Sequence, residues 1–155
     1  MNPRQKRLES DYREIKVTYS KDPNIEVIAL GPEPSDKYRV VFKVPAFHFD
    51  SKGIPVLVTT TVVDIELPIG YPKVSPVAKT VNGDSVFHPN FNEGKICLMD
   101  NWFPTTQITD LIREIGDMLQ WKKYNIRSPL NALAAEWSQN NQNKIPLGSI
   151  EVGAK

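Results

Sequence analysis

The run Val56-Leu57-Val58-Thr59-Thr60-Thr61-Val62-Val63-Asp64-Ile65-Glu66-Leu67 limits the fold more than any other stretch of this chain. It is mostly β-branched, and such side chains lose rotamer freedom in a helix but pack well on a pleated surface. Its second half alternates, with Val63, Ile65 and Leu67 on one side and Asp64 and Glu66 on the other. One face of the sheet is therefore wet and the other must be covered. More strand is expected at Ile25 to Leu30, Tyr38 to Val44 and Val74 to Thr80. The turns Asp22-Pro23-Asn24, Gly31-Pro32-Glu33-Pro34 and Pro68-Ile69-Gly70-Tyr71-Pro72 separate these runs. Short strands joined by tight turns predict a four-stranded antiparallel meander, with Pro76 at an edge or entry position. Residues 47–53 read as a loop with a polar tip, Asp50 to Gly53, and His48 reads as a structural or surface histidine.

Helices supply the cover. Leu8, Tyr12, Ile15 and Tyr19 form one stripe on a helix over residues 3–19, with Pro3 in its first turn. Arg4, Lys6, Arg7 and Arg13 lie on or near the opposite face. Ile108, Leu111, Ile112, Ile115, Met118 and Leu119 predict a second helix over 107–121, capped by Thr106. A third begins at Ser128 as cap, with Pro129 at its first position, and runs to about Asn140. Strands in a run followed by helices make an α+β fold, with helices on one face of an antiparallel sheet.

The 155 residues fit one domain, expected over 1–147, with a frayed tail at 148–155. A formal net charge of +1 gives no global field for nucleic acid. No apolar run reaches the roughly 20 residues a membrane span needs, and Met1 to Ser10 holds no signal core. A single cysteine cannot close an internal disulfide, so a reducing cytoplasmic location is expected. One cysteine with two histidines makes a poor ligand set, and no metal is expected.

That cysteine lies in His88-Pro89-Asn90-Phe91-Asn92-Glu93-Gly94-Lys95-Ile96-Cys97-Leu98, an irregular segment between the strands and the later helices. A thiolate is a strong nucleophile and a good leaving group once acylated. An attacked carbonyl develops an oxyanion, for which the Asn90 amide can be a donor. Pro89 biases His88 toward an extended backbone, and Gly94 permits the turn that could bring Asn90 back beside Cys97. His88 is expected to brace this turn. A lone cysteine between Ile96 and Leu98 can also be a small buried hydrophobe.

The ordered set His88-Pro89-Asn90, Gly94 and Ile96-Cys97-Leu98 resembles the signature of ubiquitin-conjugating enzymes. Tyr71-Pro72 with Pro76, Trp102-Phe103-Pro104, and Ser128-Pro129-Leu130-Asn131 with Ala134-Ala135 extend the resemblance over roughly residues 1 to 140. It implies the ubiquitin-conjugating fold: an N-terminal helix, the meander, the active-site segment and two C-terminal helices. It also implies a transferase that carries ubiquitin or a similar modifier as a thioester on Cys97. Asn90 would organise the segment and stabilise the oxyanion, and Ser128 would orient the incoming lysine. His88, Pro89, Gly94 and Trp102 would be structural at the site. Arg4, Lys6, Arg7, Lys73, Phe103 and Pro104 would meet partners, namely a modifier-activating enzyme and a ligase. No cofactor is implied.

The chain departs from the family pattern in places. The Asn90–Cys97 loop and the Cys97–Trp102 connection are short, Lys73 replaces a bulky apolar residue, and residues 45–57 lack the usual glycine-rich connection. The alternatives are a catalytically silent modifier-binding module of the same fold and a cysteine hydrolase using Cys97, His88 and Asn90.

Overall fold

The computed structural model describes residues 2–81, 86–92, 95–96, 98, 102–122, 130–145 and 148–151. Helix α1 (Pro3–Tyr19) is capped by Asn2, whose side chain accepts from the Gln5 amide, with Pro3 where no amide is needed. It leads into β1 (Ile25–Ala29), β2 (Lys37–Phe42), the hairpin β3 (Ala46–Phe49) and β4 (Pro55–Val58), then β5 (Thr61–Glu66) and β6 (Val77–Thr80). Two short strands follow, β7 (Phe91–Asn92) and β8 (Lys95–Ile96), then α2 (Ile108–Leu119), α3 (Ala132–Asn140) and a 3-10 turn at Gln142–Lys144.

The main sheet is antiparallel, in the order β1-β2-β5-β6-β8-β7. The expected meander is β1-β2-β5-β6. Burial alternates along it: Tyr38, Val40 and Phe42 of β2 and Val63 and Ile65 of β5 are all within 1% of complete burial. These residues form one core with Leu8, Ile15 and Tyr19 of α1 and Ile108, Leu111, Ile112, Ile115 and Leu119 of α2. Each such side chain contributes about 1.5–3 kcal/mol relative to remaining exposed. The α+β architecture is as expected, with one wet sheet face and one covered face.

Four local expectations are corrected. Residues 47–49 are not loop: they lie in β3, which pairs with β4 in a separate two-stranded sheet. The run from Val56 to Leu67 is therefore two strands, broken after Val58. The Asp50–Gly53 tip does turn as predicted, with Asp50 Oδ1 accepting from the Lys52 and Ile54 amides and Gly53 at φ +76°. Thr106 is not the cap of α2. Its amide closes a turn onto Phe103, and Gln107 occupies the cap without a side-chain bond. Helix α3 starts later than predicted, capped by Asn131, whose Oδ1 accepts from the Ala134 amide at 3.1 Å. Ser128 and Pro129 lie outside the described residues.

Of the tail expected over 148–155, residues 152–155 lie outside the described residues, and within 148–151 Ile150 makes hydrogen bonds to the end of α2. The buried Gln120 amide donates to Ile150 O at 2.9 Å and accepts from Ile150 N at 3.0 Å, and Lys122 Nζ adds a bond to the same carbonyl. Among the described residues no helix is long and apolar enough to cross a membrane.

Candidate active site

The end of α2 sets the floor beneath the His88 turn. Trp121 sits at φ +60°, in the left-handed region usually left to glycine. Its amide bonds Met118 O and the Lys122 amide bonds Asp117 O, the paired bonds of a Schellman ending. A bulky residue there costs on the order of 1–2 kcal/mol. The strained backbone directs a fully buried indole into an aromatic cluster. Trp121 meets Phe47 at 6.3 Å, Trp137 at 5.6 Å and Phe87 at 6.4 Å between ring centroids. The β3 hairpin, α3 and the approach to the site thus share one small core.

His88 rests on this cluster. It is completely buried, with its ring 4.8 Å from Trp121 and 5.4 Å from Phe91. Its Nδ1 accepts from the Asn90 amide at 3.0 Å, which requires the tautomer with the proton on Nε2. The Phe91 amide returns to His88 O at 3.0 Å, closing the turn. Pro89 O accepts from the Asn131 amide at 2.9 Å, tying the start of α3 to the same turn. Asn131 is a positioning residue, named in the sequence only as part of the motif at the start of the third helix and given no role there. Its asparagine just ahead of an alanine-rich helix was the available signal, since asparagine is a favoured cap.

Asn90 is nine-tenths buried and directly precedes Phe91. Phe91 is the register partner of Ile96, and Asn92 of Lys95. Cys97 follows Ile96 in sequence. Cys97, Gly94 and Ser128 lie outside the described residues.

A second group of residues sits around α1. Arg4 and Arg7, expected on or near the face opposite the apolar stripe, make bonds within the chain. Arg4 Nη2 donates to Leu67 O at 3.0 Å and pairs with Asp36 at 3.6 Å. Arg7 Nε donates to Asp11 Oδ1 at 2.9 Å, and its other nitrogens reach Pro104 O and Thr106 O. Asp11, only 1% exposed, also accepts from the Tyr71 hydroxyl at 2.6 Å. Burial raises the Asp11 carboxyl above its ordinary value, with Tyr71 and Arg7 opposing the rise. Burial likewise raises the Tyr71 phenol, so it stays a proton donor. Trp102 Nε1 donates to Pro72 O at 2.7 Å, joining the 71–72 turn to the 102–106 turn. Lys6, Lys73 and Pro104 remain exposed, as do Ile69 at 92% and Phe103 at 58%.

An antiparallel sheet covered by helices, with a His-Pro-Asn turn clamped between the sheet and the last helix, defines an α+β fold of the ubiquitin-conjugating type. A solved structure, the E2 domain of a Toxoplasma gondii ubiquitin conjugating enzyme, matches with a TM-score of 0.63 at 21% identity. The match covers 93% of this chain and 92% of that one, and likeness at this identity speaks to the fold. Residues 59–146, more than half of the chain, match the ubiquitin-conjugating enzyme family, and the chain belongs to that family. A search of curated proteins returned no match.

Proposed function

We propose that this protein takes ubiquitin or a ubiquitin-like modifier onto Cys97 as a thioester and passes it to an amine or a ligase. The observation that supports this most is the register of the β7–β8 hairpin. Phe91 and Ile96 are partners, so the residue before one is Asn90 and the residue after the other is Cys97. The hairpin hangs from a turn held by His88 and by the Asn131 amide.

In the first step the Cys97 thiolate attacks the carbonyl carbon of the modifier's thioester on the activating enzyme. A new C–S bond forms and the activating enzyme's sulfur leaves as thiolate. In the second step a neutral lysine amine attacks the Cys97 thioester, the Cys97 thiolate leaves, and the amine loses its proton to solvent. Each attack passes through an oxyanion, toward which Asn90 would donate. Ser128 would orient the lysine by hydrogen bonding.

Partners would dock at the end of the molecule where Arg4, Arg7 and Trp102 tie α1 to two turns. Lys6, Lys73, Phe103 and Pro104 would face the activating enzyme or ligase, with Arg4 and Arg7 shaping that surface from beneath. A charging reaction with ATP, modifier and activating enzyme tests the reading. A reductant-sensitive adduct absent from Cys97→Ala supports it, and an adduct indifferent to Cys97→Ala overturns it.

A further inference from the structure

One row of register partners crosses the main sheet as Arg39, Asp64, Lys79 and Lys95. All four lie on the open face, alternating with the buried Val40, Ile65, Ala78 and Ile96. Arg39 engages both oxygens of Asp64, Nε to Oδ1 at 2.9 Å and Nη2 to Oδ2 at 3.0 Å. That uses the row's only carboxylate. Lys79 and Lys95 then stand directly opposite one another, both exposed. Neither ammonium has an ion-pair partner among the described residues. Glu66, two residues along β5 from Asp64, faces Lys37 and Val77 instead.

Like charges directly opposite across a ladder are unfavourable without a counter-charge. The two lysines border a groove of about 400 Å³ that Ser75, Pro76, Val77, Ala78, Ile96 and Leu98 also line. Cys97 is two residues along the sequence from Lys95.

We propose that Lys79 and Lys95 form a subsite for an acidic segment of the acceptor protein, a few residues from the lysine being modified. This rests on the reading of Cys97 as the thioester carrier and names the substrate class that carrier serves. Charge complementarity selects the occupant: two exposed ammonium groups, neither ion-paired among the described residues, suit an extended segment bearing Asp or Glu. The acidic side chains form no covalent bond. They hold the acceptor so that its amine meets the thioester more often.

The test uses two fluorescent peptides, each with one lysine. One carries Asp and Glu on one side of that lysine, and the other carries Asn and Gln at the same places. In direct binding to the full chain, the acidic peptide should bind roughly three- to tenfold more tightly, the range expected of two exposed charge contacts. The preference should vanish in Lys79→Gln/Lys95→Gln, survive in Lys52→Gln, and fade near 1 M salt, where the screening length is about 3 Å. In single-turnover discharge of preformed thioester, the same ratio should appear in KM for the peptide with kcat little changed. Lys79→Glu/Lys95→Glu should invert it in favour of a basic peptide. Equal binding of both peptides by the wild-type chain, or a preference that survives the double variant, overturns the subsite. Failure of the thioester to form would count against the Cys97 reading alone, because the binding arm needs no thioester.

Discussion

The hydroxyl of Tyr71 donates a 2.6 Å hydrogen bond to Oδ2 of Asp11, joining the first helix to a turn sixty residues further along the chain. The same carboxylate accepts from Arg7, whose guanidinium lies 5.1 Å from the centre of the Tyr71 ring. Three polar groups thus satisfy one another at the seam between α1 and the exposed turns.

Removing the carboxylate would leave the mostly buried Arg7 and the buried Tyr71 hydroxyl without it. Asp11→Ala should destabilise the fold by about 3–5 kcal/mol, measured by urea unfolding. A loss under 1 kcal/mol would show that the network contributes little.

The same carboxyl makes a pH prediction. Burial raises its folded-state pKa above the unfolded value, so the native protein binds more protons in the interval between the two. Stability from this group is fully present below the unfolded-state value and declines as pH rises through the folded one. The stability gap between wild type and Asp11→Asn, which cannot titrate, should therefore shrink from acid toward neutral pH. Unfolding curves across that range check it, and a gap that widens with pH contradicts it.

His88 and Asn90 should fail differently. His88→Ala opens a cavity against Trp121 and Phe91 and frees the Asn90 amide, costing roughly 3 kcal/mol of stability. Asn90→Ala should reduce thioester transfer about 100- to 1,000-fold, the loss typical of one oxyanion donor. Thermal melting beside single-turnover discharge separates the two. Full transfer activity in Asn90→Ala would remove it from the chemistry.

At the far end, Gln120 and Ile150 exchange two hydrogen bonds, and Gly148 fits beside them only because it lacks a side chain. A Cβ there would lie 2.7 Å from Gln120 Oε1 and 2.8 Å from Pro45 Cγ. Gly148→Ala and Gln120→Ala should each cost about 1–3 kcal/mol, and the double variant should cost less than their sum. Additive losses would show that the two residues act separately.

The helical stripes were plain in the sequence because α1 and α2 bury long periodic faces. Asp11 was not, since it falls beside Leu8 and Ile15 on the buried side of α1 and a carboxylate normally marks a wet face. Only its partners Arg7 and Tyr71 make its burial tolerable, and Tyr71 is distant in sequence. The β3–β4 hairpin was hidden for another reason. No glycine or proline punctuates Val58 to Thr61, so a β-branched run continues through a break that tertiary pairing imposes. The His-Pro-Asn turn was legible as a motif. Its anchoring was not, because the Trp121 indole and the Asn131 amide come from later helices.

The most direct measurement is the intact mass of the chain after charging with its cognate modifier, activating enzyme and ATP. Wild type should gain one modifier less one water, and thiol should reverse the gain. Cys97→Ser should hold the same mass as a thiol-resistant ester, and Cys97→Ala should gain nothing. No adduct on wild type with the cognate pair present, or an adduct that survives in Cys97→Ala, would contradict the assignment of Cys97 as the modifier's carrier.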